Sequence, residues 1–294
     1  MASTEHEPSG SLRRLAESDL PSALELSASA NWNQNAADWL AMLALGEGWG
    51  IDDTDDQGQR CLAASIVVLP YGHAFAWLSM VLVRPGLQRR GHASRLLRHA
   101  LSRLDAHGMA AVLDATPAGH AVYAQEGFID TWGFARYRRE RTGAPIERPD
   151  GLPTRALRDD DWPAIAALDA PAFGADRLPL LRRLAQRWPQ AARVAEDAGR
   201  VRAFAFGRDG REAQQIGPLC ADDLPTAMRL IGDVLAEAPG PLYLDLLDDK
   251  AALLPWLQQQ GFALQRPFTR MVHGTHSAPG DPRSIVLVAG PELG

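Results

Sequence analysis

The chain is poor in cysteine and almost free of lysine. Its 294 residues contain two cysteines, Cys61 and Cys220, and a single lysine, Lys250, among 30 basic residues. Two cysteines that lie far apart in apolar contexts predict buried thiols, not a disulfide framework or a metal site. A lone lysine in an acidic turn excludes a phosphate-binding loop of the G-K-[ST] kind and leaves one candidate for Schiff-base chemistry.

The sequence also lacks a long apolar run, a secretory leader and an excess of positive charge. Without about 18 consecutive apolar residues it has no candidate membrane span, so we expect a cytoplasmic protein that does not contact membranes. A net charge of −6 argues against a nucleic-acid binder that works through overall charge. The hydrophobic content of 46% suffices for ordinary cores, and the length favours two domains.

One acidic stretch, Asp52–Gly58, superficially imitates the start of a calcium loop. The twelfth position of such a loop would be Ala64, which cannot replace the glutamate that supplies a bidentate ligand. We therefore predict a solvated hairpin turn here and no bound metal.

The middle of the first half predicts a strand, a tight polar loop and a helix. Ala74–Val83 is apolar and of strand length, and Ala93–Leu104 has apolar residues at helical spacing with arginines on the opposite face. The loop Gln88–Ala93 precedes the helix, whose N-terminus offers free N–H groups and a partial positive charge that suit a phosphate. Gly91 has no Cβ, so a ligand can approach the backbone closely. The pattern predicts an anion-binding loop.

These residues resemble a known motif. Gln88-x-x-Gly91-x-Ala93 after a Val-Leu-Val strand is similar to the pyrophosphate-binding motif Q/R-x-x-G-x-G/A of the GNAT superfamily of N-acetyltransferases. The six residues alone also fit an ordinary turn followed by a basic, solvated helix. The resemblance implies transfer of an acetyl group from acetyl-CoA to a primary amine of a small-molecule or peptide acceptor, by direct attack on the thioester and without a metal. It implies these cofactor-binding residues: Val81, Leu82, Val83, Gln88, Arg89, Arg90, Gly91, His92, Ala93 and Ser94.

Downstream, Tyr123-x-x-x-Gly127-Phe128 resembles the last helix of a GNAT domain. In many members that tyrosine protonates the departing CoA thiolate, so the resemblance implies a catalytic role for Tyr123. A half-buried aromatic with its hydroxyl satisfied locally is the structural alternative. The segment that joins the first two helices commonly lines the acceptor pocket, which makes Trp32 and Asn33 substrate-site candidates; packing of Trp32 in the core and capping of the second helix by Asn33 are their alternatives.

Many members carry a glutamate on the strand before the loop to deprotonate the amine. This strand has none, because Trp77-Leu-Ser-Met80 stands in its place. The sequence therefore leaves the base open, with a water held by Ser79, His120 or Asp114 as guesses.

The second half repeats the first, with equal spacing in the matching segments. The parallels are Arg13…Asp19 with Arg155…Asp161, Leu113-Asp114 with Leu244-Asp245, and Gly127-Phe128…Phe134-x-Arg136 with Gly261-Phe262…Phe268-x-Arg270. We predict an α+β fold of two tandem GNAT-like domains, each with a mixed, mostly antiparallel sheet and a parallel β-α-β unit. The expected boundaries are a flexible tail at 1–10, a catalytic domain at 11–141, a linker at 142–153 and a second domain at 154–294 that ends in a strand.

The second copy lacks the anion loop and the tyrosine that the first copy has. Asp222 and Asp223 stand near the position of the anion loop, where a carboxylate would cap the helix and repel pyrophosphate. Leu257 replaces Tyr123 and cannot give a proton. We expect the second domain to be degenerate and to contribute pocket wall, stability or an interface.

Two rival functions share some of these features. A non-catalytic acyl-CoA sensor or scaffold would keep the loop without needing Tyr123. A nucleic-acid binder would use the arginines of the loop and helix, but the chain is acidic and aromatic residues are not interleaved along that helix. We expect no nucleic-acid partner, and the oligomeric state is not readable from the sequence.

Overall fold

The computed structural model describes residues 10–140, 146–238 and 240–294. Most of the tail expected at 1–10 and the start of the linker expected at 142–153 lie outside these ranges. The first half contains β1 Ser11–Arg14, α1 Leu20–Ser29, α2 Ala36–Leu45, β2 Glu47–Thr54, β3 Arg60–Tyr71, β4 Phe75–Val83, α3 His92–Asp105, β5 Ala110–Ala115, α4 Pro117–Gln125 and β6 Ile129–Arg139. The second half contains β7 Thr154–Ala156, α5 Trp162–Phe173, α6 Leu178–Arg187, β8 Arg193–Asp197, β9 Arg200–Arg208, β10 Gln214–Cys220, α7 Leu224–Glu237, β11 Leu242–Leu247, α8 Leu254–Gln259, β12 Phe262–His273 and β13 Ile285–Leu287.

The predicted fold class is confirmed. Helices flank a mostly antiparallel sheet, and β4 runs parallel to β5, with Phe75 beside Ala110 and Trp77 beside Val112. The crossover between these two strands passes through α3, as the sequence predicted. None of the described helices combines the length and apolar character needed to cross a bilayer. Cys61 and Cys220 are both free thiols, and the described residues contain no cluster of ligands suited to a metal ion.

The two halves exchange their last long strand within one continuous sheet. The strand order is β1-β2-β3-β4-β5-β12-β6-β11-β13-β10-β9-β8-β7. The last strand of the first half, β6, pairs with β11 and β12, and β12 of the second half takes the place beside β5. Phe134 of β6 stacks on Phe268 of β12 where the exchanged strands meet, with ring centroids 4.9 Å apart. Each half is therefore completed by the other.

Buried ion pairs follow this exchange. Arg136 on β6 binds both oxygens of Asp245 on β11, with each bond 2.7 Å long. Arg270 on β12 binds both oxygens of Asp114 at the end of β5, with each bond 2.9 Å long. The repeated arginines and aspartates of the sequence thus pair across the halves, and not within them.

A second repeated pair has the same local geometry in both halves. Arg13 donates to the two oxygens of Asp19 at 2.9 and 2.8 Å, and Arg155 donates to the two oxygens of Asp161 at 2.7 and 2.8 Å. Each aspartate also accepts a bond from a main-chain N–H three residues before it, and each precedes a helix with proline in its first turn. This matching geometry supports the internal duplication.

The parallel strand pairs of the two halves diverge, and only one of the resulting gaps is filled by a strand. Pairing of β4 with β5 ends at Trp77, and pairing of β10 with β11 ends at Ile216. Beyond Ile216, β13 enters the gap and pairs antiparallel with both strands, with Leu287 beside Leu219 and Leu246. The sequence predicted that the second domain ends in a strand, and this strand, β13, lies in the gap of the second half.

Candidate active site

The gap between β4 and β5 forms a groove at the surface of the first half, which we call the outer groove. The floor of the groove is the diverging end of β4. The loop before α3 closes one end of the groove, and α4 forms a side wall. It is lined by Ala30, Trp32, Val81, Leu82, Val83, Gln88, Arg89, Gly91, His92, Ala93, Ser94, Asp114, Thr116, Ala118, Gly119, Val122 and Tyr123. Nine of the ten residues predicted to bind the cofactor therefore lie together; Arg90 is the exception.

The end of the groove at α3 has the backbone geometry of an anion-binding loop. Gly91 precedes the helix with φ +80°, a left-handed conformation that suits glycine, and Arg89 has φ +62°. No side chain of the described residues caps this helix N-terminus. The first N–H groups of a helix have no intrahelical partner and carry a partial positive charge. The backbone of the loop therefore presents free donors to the groove.

Two side chains of the loop turn away from the groove toward the hairpin between β2 and β3. His92 is buried, and its Nε2 lies 3.1 Å from Asp53 Oδ2; burial lowers the pKa of His92. Arg90 pairs with Asp56 at 3.3 Å. His92 can thus serve the groove through its main chain only. The linear sequence hid these contacts, because the two aspartates lie more than 30 residues before the loop.

The predicted hairpin turn is present at these aspartates. Asp55 closes the turn by accepting bonds from the N–H groups of Gln57 and Gln59, at 2.9 and 2.8 Å. The antiparallel pairing of β2 with β3 continues from Thr54 and Arg60. The acidic stretch therefore forms a turn, as the sequence predicted.

The outer groove meets a deeper cavity, which we call the inner pocket. It is lined by Trp32, Asn33, Gln34, Leu78, Ser79, Met80, Val81, Leu113, Asp114, Thr116, Tyr123, Arg136, Arg266, Phe268, Pro291 and Glu292. Five of these residues also line the outer groove: Trp32, Val81, Asp114, Thr116 and Tyr123. A long ligand in the groove would therefore place one end in the pocket.

Tyr123 lies where the two cavities join. Its ring folds back over α4, where a Cβ on Gly119 would stand 2.9 Å from Tyr123 Cε2, so the absence of a side chain at Gly119 leaves room for the ring. Burial raises the pKa of Tyr123 above its usual value, and the phenol is protonated at ordinary pH in either case. A protonated hydroxyl at this junction can act as a proton donor.

Beside Tyr123, β4 carries a bulge. Met80 has φ +51°, and the register between β3 and β4 shifts by one residue at this point. Ser65 Oγ donates to the carbonyl oxygen of Met80 at 2.8 Å, which uses the acceptor of the bulged residue. The edge of β4 from Leu78 onward faces the gap, because its pairing with β5 has already ended.

The two acceptor-site candidates behave differently. Trp32 is half-buried and lines both cavities. Asn33 lines the inner pocket, but its Nδ2 donates to the oxygen of Ala213 at 2.9 Å and its Oδ1 accepts from the N–H groups of Glu212 and Ala213. The cap of α2 is Asn35, so the alternative of Asn33 as the cap is wrong. Asn33 ties the first half to the loop before β10.

The three residues suggested to hold a base differ in whether they reach the inner pocket. Asp114 lines both cavities, but it is buried and bound at both oxygens by Arg270, and burial raises its pKa. His120 is paired with Asp130 at 2.8 Å on the surface and is not among the described lining residues of either cavity. Ser79 lines the inner pocket, with its Oγ 3.8 Å from the sulfur of Met42.

The sequence missed the polar residues that reach the inner pocket from the second half and from the exchanged strand. These are Arg136, Arg266 and Glu292. Glu292 comes from the segment after β13, which crosses to the first half: Trp77 Nε1 donates to the oxygen of Pro291 at 3.0 Å, and Tyr71 donates to the oxygen of Leu293 at 2.7 Å. No local pattern signals this contribution, because it arises from the long-range path of the chain.

The corresponding parts of the second half are closed. Asp223 caps α7 by accepting from the N–H of Thr226 at 2.8 Å, as the sequence predicted. Leu257, at the position of Tyr123, is buried in the second hydrophobic core. Together with β13, these residues fill the places that are open in the first half.

Comparison with known proteins agrees with the duplication. Residues 12–128 match a family model described as acetyltransferase (GNAT) family, and residues 165–286 match one described as acetyltransferase (GNAT) domain. The chain is 23% identical over 252 residues to the Bacillus subtilis (strain 168) protein named Uncharacterized N-acetyltransferase YitH, across 85% of this chain and 87% of that protein. It is also 23% identical over 233 residues to the holothin acyltransferase of Pseudoalteromonas sp. (strain SANK 73390), across 79% and 77% of the two chains.

Solved structures share the fold. A proposed acetyltransferase from Pyrococcus horikoshii has a TM-score of 0.77 at 17% identity, over 100% of this chain and 99% of that one. A tandem GNAT protein from the clavulanic acid biosynthesis pathway has a TM-score of 0.64 at 16% identity, over 92% of this chain and 100% of that one. The tandem arrangement thus recurs over whole chains of similar size.

Proposed function

Because the chain belongs to the GNAT superfamily, with two GNAT domains in tandem, and is an acyltransferase, we propose that it transfers an acetyl group from acetyl-CoA to a primary amine. The reaction takes place in the first half. The observation that carries this proposal is the continuous path from the uncapped N-terminus of α3, along the open edge of β4, to Tyr123 and the inner pocket. We propose 11–141 and 154–294 as the catalytic and degenerate sequence units, joined by 142–153, with their last strands exchanged.

The residues of the outer groove fit the parts of coenzyme A. The main-chain donors of Arg89–Ser94 hold the diphosphate, because free N–H groups at a helix N-terminus bind phosphate. The open edge of Val81–Val83 pairs with the amide groups of the pantetheine arm as an added strand would. Acetyl-CoA supplies an activated acyl group as a thioester, and the groove positions that group at the entrance of the inner pocket.

The chemistry uses direct attack by the amine. The main-chain N–H of Met80 or Val81, at the bulge, donates to the carbonyl oxygen as negative charge develops on it. A new C–N bond forms, the C–S bond breaks, and Tyr123 donates its proton to the departing sulfur.

The test is turnover of acetyl-CoA with a panel of primary amines, followed by release of free thiol. We expect amine-dependent release by the natural chain, and slower release by Tyr123→Phe with unchanged affinity for acetyl-CoA. Binding of acetyl-CoA without turnover of any amine would favour the sensor or scaffold, and failure to bind acetyl-CoA would contradict both functions.

A further inference from the structure

The inner pocket contains polar groups whose bonding capacity is unused. Glu292 and Gln34 are both buried, and within the described part of the chain Glu292 Oε2 and Gln34 Oε1 have no hydrogen-bond partner. A buried acceptor without a partner destabilises the folded chain, and a charged one does so more. Two such acceptors in one pocket indicate a ligand that brings hydrogen-bond donors.

The charges around Glu292 point to a cationic donor. Arg208 binds Glu292 through its Nη2 and Asp38 through its Nη1, the latter at 2.7 Å. Arg187 binds the same Asp38 at 2.6 Å and Asp209 at 2.7 Å. Three carboxylates therefore share two guanidinium groups, so one negative charge of this network is not neutralised by its own arginines.

The opposite imbalance occurs at Arg266. Its guanidinium is half-buried and lies 5.8 Å from the ring centre of Phe268, and no ion pair of Arg266 is found among residues 10–140, 146–238 and 240–294. Burial and the neighbouring guanidinium of Arg136 lower the pKa of Arg266. Arg136 itself is neutralised by Asp245. A partly buried cation beside another arginine, without its own carboxylate, suits an anionic group of a ligand.

We propose that the acceptor is a small zwitterion, a primary amine that also carries a carboxylate, with its ammonium group on Glu292 and its carboxylate on Arg266. This inference rests on the proposed acetyl transfer and names the substrate class of the same site. The pocket brings together Glu292, whose network has one carboxylate more than it has arginines, and Arg266, which has no ion pair among the described residues. Apolar side chains such as Leu78, Met80 and Phe268 form part of the remaining lining. The ammonium group and the carboxylate of the ligand would therefore bind to two different residues, Glu292 and Arg266.

Glu292 is also the base that the strand before the loop lacks. Its Oε2 takes one proton from the ammonium group, and the freed lone pair of nitrogen forms the C–N bond. Tyr123 gives its proton to sulfur as the C–S bond breaks, and the second proton lost by nitrogen restores Tyr123. The products are the N-acetylated acceptor and the free thiol of coenzyme A, and Glu292 then releases its proton to water.

The natural chain is tested with matched acceptors in which only the carboxylate changes. L-leucine, L-leucinamide and 3-methylbutylamine keep the same side chain and amine, and glycine, β-alanine and γ-aminobutyrate vary the spacing of the two charges. We expect kcat/KM to be at least about tenfold higher for the best amino acid than for its uncharged analogue, since a hydrogen bond to a charged group is worth about 1.5–3 kcal/mol. If amines without a carboxylate react as fast, the zwitterion is excluded while acetyl transfer stands. If acetyl-CoA does not bind, the proposed function itself fails.

Two variants test which residue binds the carboxylate of the acceptor and which binds its ammonium group. Arg266→Gln should reduce the preference for the carboxylate to within about threefold, because kcat/KM falls much more for the amino acid than for 3-methylbutylamine. Arg138→Gln is its control, because Arg138 is an exposed arginine on β6 that pairs with Glu140. Glu292→Gln should lower kcat/KM about a hundredfold for every acceptor and remove one ionisation from the pH profile of the rate, while acetyl-CoA affinity stays the same.

Asp209→Asn is the control for Glu292, because it removes a carboxylate of the same network outside the described lining of the pocket. An equal loss in Asp209→Asn would reduce Glu292 to a structural role, and a natural rate in Glu292→Gln would remove it from the mechanism. If Glu292→Gln does not fold, the matched acceptors and Arg266→Gln still decide the substrate class.

Discussion

The two halves share one scaffold and differ in what occupies the gap between their parallel strands. In the first half the gap between β4 and β5 is open and ends at an uncapped helix. In the second half β13 fills the gap and Asp223 caps the helix. The chain's own strand and carboxylate thus occupy in the second half the two places that stay open in the first, where we propose that the coenzyme binds.

The second half nevertheless contributes residues to the inner pocket. Its strand β12 stands beside β5 and carries Arg266, and the segment after β13 continues into the first half and brings Glu292 to the inner pocket. The strand that closes one site is therefore followed at once by the residue that we propose completes the other. Degeneration of the second copy and completion of the first are connected by the same stretch of chain.

The largest expected effect comes from blocking the outer groove. Gly91→Trp places an indole where the diphosphate would bind, and we expect acetyl-CoA affinity to fall at least about a thousandfold, or about 4 kcal/mol, by titration calorimetry. Gly199→Trp in the second half is the matched control, because Gly199 has a similar φ of +75° and open space around it. Tight binding that survives Gly91→Trp would place the coenzyme elsewhere.

The two buried ion pairs that join the halves should contribute equally to the stability of the fold. Arg136→Met leaves Asp245 buried without its arginine, and Arg270→Met does the same to Asp114. Loss of one partner of a buried pair costs about 3–5 kcal/mol, so we expect both variants to lose that much in the free energy of unfolding by urea. Arg138→Met, which breaks an exposed pair, should cost less than about 1 kcal/mol. If the two buried variants lose very different amounts of unfolding free energy, the Arg136–Asp245 and Arg270–Asp114 pairs do not contribute equally to stability.

Removal of the proton donor should separate catalysis from binding. We expect Tyr123→Phe to lower kcat about a hundredfold, because a general acid contributes roughly that much, with acetyl-CoA affinity unchanged. Leu257→Met, at the matching position of the second half, should leave kcat of the folded enzyme unchanged. An unaltered rate in Tyr123→Phe would remove Tyr123 from the mechanism.

The smallest effect concerns the repeated pairs near the start of each half. Hydrogen bonds from Arg13 and Arg155 lower the pKa of Asp19 and Asp161 below the ordinary value of 3.8. A lowered pKa in the folded state adds stability that is complete above the ordinary pKa and is lost as the pH falls through the folded pKa. Asp19→Asn and Asp161→Asn should each reduce the loss of stability on acidification below about pH 4, by on the order of 1 kcal/mol. Acid unfolding curves identical to that of the natural chain would contradict this.

The sequence predicted the parts of this comparison that depend on local chemistry. The strand, loop and helix around Gly91, the capping carboxylate at Asp223 and the apolar Leu257 follow from spacing and residue type. The repeats also identified Arg136, Arg270, Asp114 and Asp245 as equivalent positions. Their pairing across the halves was not predicted, because a repeat gives equivalence and does not say which copy a strand joins.

The inner pocket was the least predictable part. Glu292 and Arg266 lie far along the chain from Tyr123. The exchanged strand β12 brings Arg266 to the pocket and the segment after β13 brings Glu292, and the repeat around Arg266 gives no sign of this contact. Asp53 and Asp56 illustrate the same limit, since they approach the loop through the hairpin and not through the sequence around it. Periodicity and capping chemistry act over a few residues, whereas these contacts depend on the topology of the whole sheet.

The most direct test is a crystal structure of the chain with acetyl-CoA bound. We expect one coenzyme per chain, with its diphosphate on the main-chain N–H groups of Arg89–Ser94, its pantetheine beside Val81–Val83 and β13 still between β10 and β11. A coenzyme lodged between β10 and β11, with β13 displaced, would contradict it.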